Sequence, residues 1–142
     1  QILRIEEMRY IRTHPVLGYA ILQEQGYPQE QIKWVLYHHE NYDGTGYPSN
    51  IVGDEIPLGA RILRVCDVFA ALTTERPYRK AYTVEKAMEQ MMAEVKNFDM
   101  RVFLALMEVV NDNKAEDLCD HQDLQIDELC LTEDKKAAGG ML

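Results

Sequence analysis

The chain has 142 residues, 46% of them hydrophobic and 27% charged, which suits one globular domain and excludes a disordered chain. No apolar run approaches the roughly 20 residues that a membrane helix needs. A net charge of −9 argues against a surface built for DNA or another polyanion, but nine acidic and three basic residues fall after Asn111, so the body before it still has room for an anion site. Cys66, Cys119 and Cys130 are odd in number and lack CxxC spacing, so reduced thiols and a cytoplasmic setting are expected rather than disulfides or a zinc knuckle.

Every clear periodic signal is helical. Ile2, Ile5, Met8 and Ile11 form a stripe, and Gln1 reads as the inside of a helix, so the sequence is expected to be a fragment. Pro15 ends that helix, places His14 at a bend, and opens a second helix that runs to Gly26. A third, from about Gln29, sets Ile32, Val35, Leu36 and His39 on one buried face. From Asn41 to Pro57 periodicity gives way to glycine and proline, a long loop of the kind that is usually functional.

A helix from about Leu58 to Glu75 follows, apolar nearly all round between Ile62 and Leu72, which predicts burial in the middle of the domain with Asp67 inside it. Thr83 and Asp99 are the expected N-caps of two further helices. With no βαβ alternation, the pattern predicts an all-α helical bundle over residues 1–111. Residues 112–142 form an acidic tail, disordered or carrying one peripheral helix.

Two features point to chemistry. His38-His39-Glu40 closes the third helix and runs into Asn41-Tyr42-Asp43-Gly44-Thr45-Gly46-Tyr47-Pro48. Neighbours on a helix point about 100° apart, so adjacent histidines suit two ions better than one. Paired ions suit phosphoester cleavage, and imidazole mixed with carboxylate favours iron, manganese or zinc over calcium. The plain alternative is a surface His38 and a hydrogen-bonded core His39. Asp67, a carboxylate in an apolar helix, must meet a cation or strong donors. A metal would satisfy it, and so would a salt bridge to Arg61 or Arg64.

These segments, with His14-Pro15-x-x-Gly18, Ile56-Pro57, Arg61-Ile62, Asp67-Val68-Phe69, Ala71-Leu72-Thr73 and Arg76-Pro77-Tyr78-Arg79, resemble the second half of an HD-GYP domain over about residues 3 to 110. The resemblance implies an HD-superfamily bundle truncated on its N-terminal side and a metal-dependent phosphodiesterase acting on cyclic di-GMP. The linear dinucleotide is the implied product, and GMP a further one. His14, His38, His39 and Asp67 are implied ligands of two or three divalent ions. Gly46, Tyr47, Arg76 and Arg79 are implied to line the dinucleotide, the arginines on its phosphates, with Glu40, Asp43 and Gly44 supporting the loop.

The sequence departs from that pattern in two ways. Ala70 stands where the family often has a second acid, and the His-Asp dyad with its following lysine is absent. A catalytic side chain is therefore not assigned, and metal-activated water is expected in that role. The fragment is expected to be inactive, with an incomplete metal site and apolar surface that a homodimer or a rearranged bundle would cover. Implied partners are an upstream receiver or sensor domain and a cyclic di-GMP synthase domain at the Gly-Tyr-Pro loop. The rival readings are a non-catalytic signalling module that binds the nucleotide or a protein, and another HD-type nucleotide phosphohydrolase.

Overall fold

The computed structural model describes Ile5, Arg9 and residues 11–112. Five α-helices, two single 3-10 turns (Gly53–Glu55 and Val95–Asn97) and no named strand occur among the described residues: α1 (His14–Glu24), α2 (Gln29–Tyr37), α3 (Leu58–Thr73), α4 (Val84–Ala93) and α5 (Met100–Asn111). The expected all-α architecture is what the chain adopts. The boundaries follow local chemistry. Pro15 stands in the first turn of α1, where its missing N–H costs nothing, and Gly26 takes the left-handed φ of 77° just beyond the helix end. The Thr83 hydroxyl accepts the Lys86 N–H at 3.3 Å, and the Asp99 carboxylate accepts that of Arg101 at 2.9 Å, so both expected caps form. Residues 113–142 of the tail and the Ile2 and Met8 positions of the first stripe lie outside the described residues.

α3 is the axis of the packing. It contacts α2 on one side and α4 and α5 on the other, while α1 lies against α2. Val65 and Leu72 of α3 meet Ala87 and Met91 of α4 and Phe103 of α5 in the main core, with Phe98 stacked on Phe103. At the α2–α3 approach Gly59 is obligatory, because a Cβ there would enter the indole of Trp34.

The expectation that α3 is buried all round is corrected. Ala60, Val65, Ala71 and Leu72 are buried, but Ile62 and Leu63 stay 43% and 41% exposed, Cys66 is exposed and Asp67 is only half-buried. Among the described residues, α2, α4 and α5 cover only part of the circumference of α3. An evenly apolar sequence does not say which face neighbours will cover. No helix among the described residues is long and apolar enough to cross a membrane.

Candidate metal and phosphate site

The site starts where two chain bends meet. Residues 12 and 13 form a turn before α1, and α2 ends at Tyr37, so His38 and His39 lie in the turn that opens the long loop. Because α1 packs on α2, the two bends bring three imidazoles together. Ring centroids lie 3.9 Å apart for His38 and His39, 4.7 Å for His14 and His39, and 5.8 Å for His14 and His38. One ligand atom from each falls within 4.8 Å of the others. The adjacent histidines, expected to suit separate ions, thus also offer ligand atoms close enough together, with His14, for one.

The tautomers of two of these rings follow from their partners. His14 Nδ1 lies 2.6 Å from the Ile11 carbonyl, and His38 Nδ1 lies 2.6 Å from the Val35 carbonyl. A carbonyl only accepts, so Nδ1 carries the proton in both and the lone pair is on Nε2. A backbone carbonyl behind the ring is the usual way in which a metal-binding histidine is oriented. His39 is 1% exposed, as its core position predicted. Three imidazoles so arranged fit a divalent ion of the borderline class. Asp67, on α3, is not among the three residues whose ligand atoms converge within that distance.

The loop folds back over these rings. Glu40 is 1% exposed, and its Oε1 accepts the Ser49 N–H at 2.5 Å. Burial pushes its carboxyl above the ordinary range, while backbone N–H groups of Ser49, Asn50 and Ile51 oppose that shift. Gly46 is buried, and a Cβ on it would fall 2.6 Å from Glu40 Cα and closer still to the His39 oxygen and the Asn41 nitrogen. The Tyr47 ring stacks on His39 at 4.9 Å with 9° between the planes. Asp43 accepts the Thr45 N–H and hydroxyl at 3.1 and 2.6 Å, and the Gly44 N–H bonds the Asn41 carbonyl at 2.8 Å. Asp43 and Gly44 therefore shape the loop. The Tyr47–Pro48 peptide is cis.

The two arginines part company. Arg76 and Arg79 close a short turn through paired backbone bonds of 2.8 and 3.0 Å. Arg79 turns its guanidinium inward, donating to the carbonyls of Ala71 at 2.9 Å, Leu72 at 3.3 Å and Lys80 at 2.7 Å, and it lies over the Tyr82 ring. It closes the C-terminal end of α3, where positive charge is favoured. Arg76 instead has Nε and Nη2 buried without a hydrogen-bond acceptor among the described residues.

Arg12 and Asn50 escaped the sequence reading, and Arg64 was named there only as a partner for Asp67. Arg12 holds its guanidinium 5.6 Å over the Tyr47 ring, Arg64 donates to Asn41 Oδ1 at 2.9 and 3.2 Å, and Asn50 donates to loop carbonyls. Only the position of Arg12, two residues before His14, was a usable signal. Arg61, offered as a partner for Asp67, bonds Asp99 at 2.5 Å and Asp54 at 3.1 Å.

Comparison with known proteins shows the family. The sequence profile of the family described as HD domain matches residues 2–102. The chain is 42% identical over 105 residues to the cyclic di-GMP phosphodiesterase response regulator RpfG of Xanthomonas campestris pv. campestris, covering 72% of this chain and 28% of that protein. It is 37% identical over 105 residues to a cyclic di-GMP phosphodiesterase of Pseudomonas aeruginosa, covering 73% of this chain and 25% of the relative. A 3'3'-cGAMP-specific phosphodiesterase of Vibrio cholerae is 37% identical over 106 residues, covering 74% of this chain and 23% of that protein. The chain thus spans about a quarter of the length of these relatives.

Proposed function

The chain belongs to the HD domain family, in the HD-GYP form that its motifs resemble, and on that premise we propose that it carries the metal- and phosphate-binding part of a phosphodiesterase for cyclic dinucleotides. The observation that carries this reading is the convergence of His14, His38 and His39 within 4.8 Å, with the protons of His14 and His38 pinned on Nδ1. His14, His38 and His39 would hold the ion through ring nitrogens, and Asp67 would supply a carboxylate to a neighbouring ion of a two- or three-ion set. The chemistry that divalent ions of the iron, manganese or zinc type would supply there is neutralisation of phosphoryl charge and activation of water.

The remaining roles belong to the chain's own groups. Arg76, with two buried donors lacking an acceptor, takes a substrate phosphate. Arg79 serves the same phosphate face by closing α3 beside it. Tyr47 and Gly46 form the floor of the dinucleotide site next to His39. Cyclic di-GMP is the substrate proposed first, because relatives named for it and one named for 3'3'-cGAMP share this part of the sequence. A cytoplasmic setting, an upstream receiver or sensor domain, and a synthase domain at the Gly-Tyr-Pro loop belong to the same proposal, as does the division at residue 111. The experiment is hydrolysis of cyclic di-GMP and 3'3'-cGAMP by the full-length protein, followed by chromatography of the products, with metal content measured on the same sample. Cleavage that depends on bound metal is expected. Metal-loaded protein that binds the dinucleotide and leaves it intact would favour the signalling module instead.

A further inference from the structure

We propose that Asn50 is a positioning residue for the imidazole site: its side-chain amide grips the Gly46–Tyr47 peptide and thereby sets the Tyr47 ring on His39. This deepens the function proposed above and rests on that reading only for its effect on activity. Asn50 has a φ of 55°, the left-handed region that asparagine tolerates better than most residues and that glycine adopts without strain. A turn that needed only this backbone shape would be served at least as well by glycine. The asparagine side chain adds something else. Its Nδ2 donates to the Gly46 carbonyl and, at 3.3 Å, to the Gly44 carbonyl. Both partners are acceptors, so the amide nitrogen must face them.

The Gly46 carbonyl and the Tyr47 N–H belong to one planar peptide unit and point to opposite sides of it. The N–H donates to the His39 carbonyl at 3.2 Å, so this plane is held from one side by His39 and from the other by Asn50. Gly46 is the residue on which that plane would otherwise turn, since glycine restricts its own torsions least. Asn50 is itself anchored through its neighbour, because Glu40 takes the N–H of Ser49 at 2.5 Å. The grip therefore begins at Glu40, beside His39, passes through Asn50 and the 46–47 peptide, and returns to His39 as the stacked Tyr47 ring at 4.9 Å.

The test compares Asn50→Asp and Asn50→Gly with the wild type. Aspartate keeps the side-chain shape and tolerates the positive φ, but its carboxylate cannot donate to a carbonyl. Glycine keeps the backbone and removes the amide. The first readout is the ring-proton signals of His39 in the NMR spectrum of the full chain, with Tyr47→Leu marking their position when the stacked ring is gone. Both Asn50 variants should move these signals towards the Tyr47→Leu values, with thermal midpoints within a few degrees of wild type. The second is kcat/KM of the full-length protein on cyclic di-GMP, which should fall about tenfold or more at unchanged metal content, the scale seen when a group supporting a metal site is lost. Asn50→Gly with wild-type ring signals, or with moved signals and unchanged kcat/KM, would overturn the proposal. Should the wild-type protein leave cyclic di-GMP intact, the function above falls, and the ring signals alone still decide the role of Asn50.

Discussion

Charge is handled in opposite ways at two places in this molecule. Where α3 and α5 begin, opposite charges close on each other. Asp99, 3% exposed, takes Arg61 at 2.5 Å and Arg101 at 2.9 Å, and Asp54 bridges the same two arginines at 3.1 and 2.5 Å. Burial works against the Asp99 carboxylate, but bonds from Arg101 and Arg61 outweigh it and hold its pKa at about 2. At the meeting of α1 and α2 three groups of one kind gather instead, and their protonated forms repel. The first cluster is complete without any further species. On the function proposed above the second receives a cation, and the carbonyls behind two of its rings hold the Nδ1 protons away from the others. On that reading the paired charges are a structural device and the gathered imidazoles a receptor.

The sharpest way to break this contrast is His14→Ala. Affinity for Mn2+ or Zn2+, measured by titration calorimetry on the full-length protein, is expected to fall at least about 100-fold, because one of three converging donors is lost. Asp99→Asn should leave that affinity unchanged. Equal affinity in His14→Ala and wild type would mean that the imidazoles are merely packed. Next in size, Arg76→Ala should raise KM for the dinucleotide about 10- to 100-fold at constant metal content, the loss of one charge-assisted bond worth about 1.5–3 kcal/mol. Metal loss or unfolding in that variant would make Arg76 structural.

The Asp99 cluster is expected to fail in acid. Its folded pKa of about 2 lies below the ordinary value of 3.8, so its contribution is present above about pH 4 and disappears as pH falls through 2. Roughly 2 kcal/mol is at stake. Urea unfolding at pH 5 and pH 3 should show the loss in wild type and a flatter response in Asp99→Asn. The smallest effect expected is that of Arg79→Ala, about 1 kcal/mol of stability from uncapping α3, read as a lower thermal midpoint at near-normal KM. A rise in KM as large as that of Arg76→Ala would return Arg79 to the phosphates.

The helices, their caps, the bend at His14 and the burial of His39 were legible in the sequence, because periodicity, proline and capping act within a few residues. The sequence also carried the family, through motifs spaced along the chain. Tertiary structure alone decided that His14 reaches the pair at 38 and 39, since that depends on how α1 lies across α2. It decided which side of the apolar α3 is covered, and so left Ile62, Leu63 and Cys66 exposed and Asp67 half-buried. It turned Arg79 inward while leaving the two buried donors of Arg76 without an acceptor among the described residues. It drew Arg61 to Asp99, 38 residues away, rather than to Asp67 one helical turn and a half along. In each case a side chain chose among partners far apart in the chain, and local pattern ranks such partners equally until packing sets their distances.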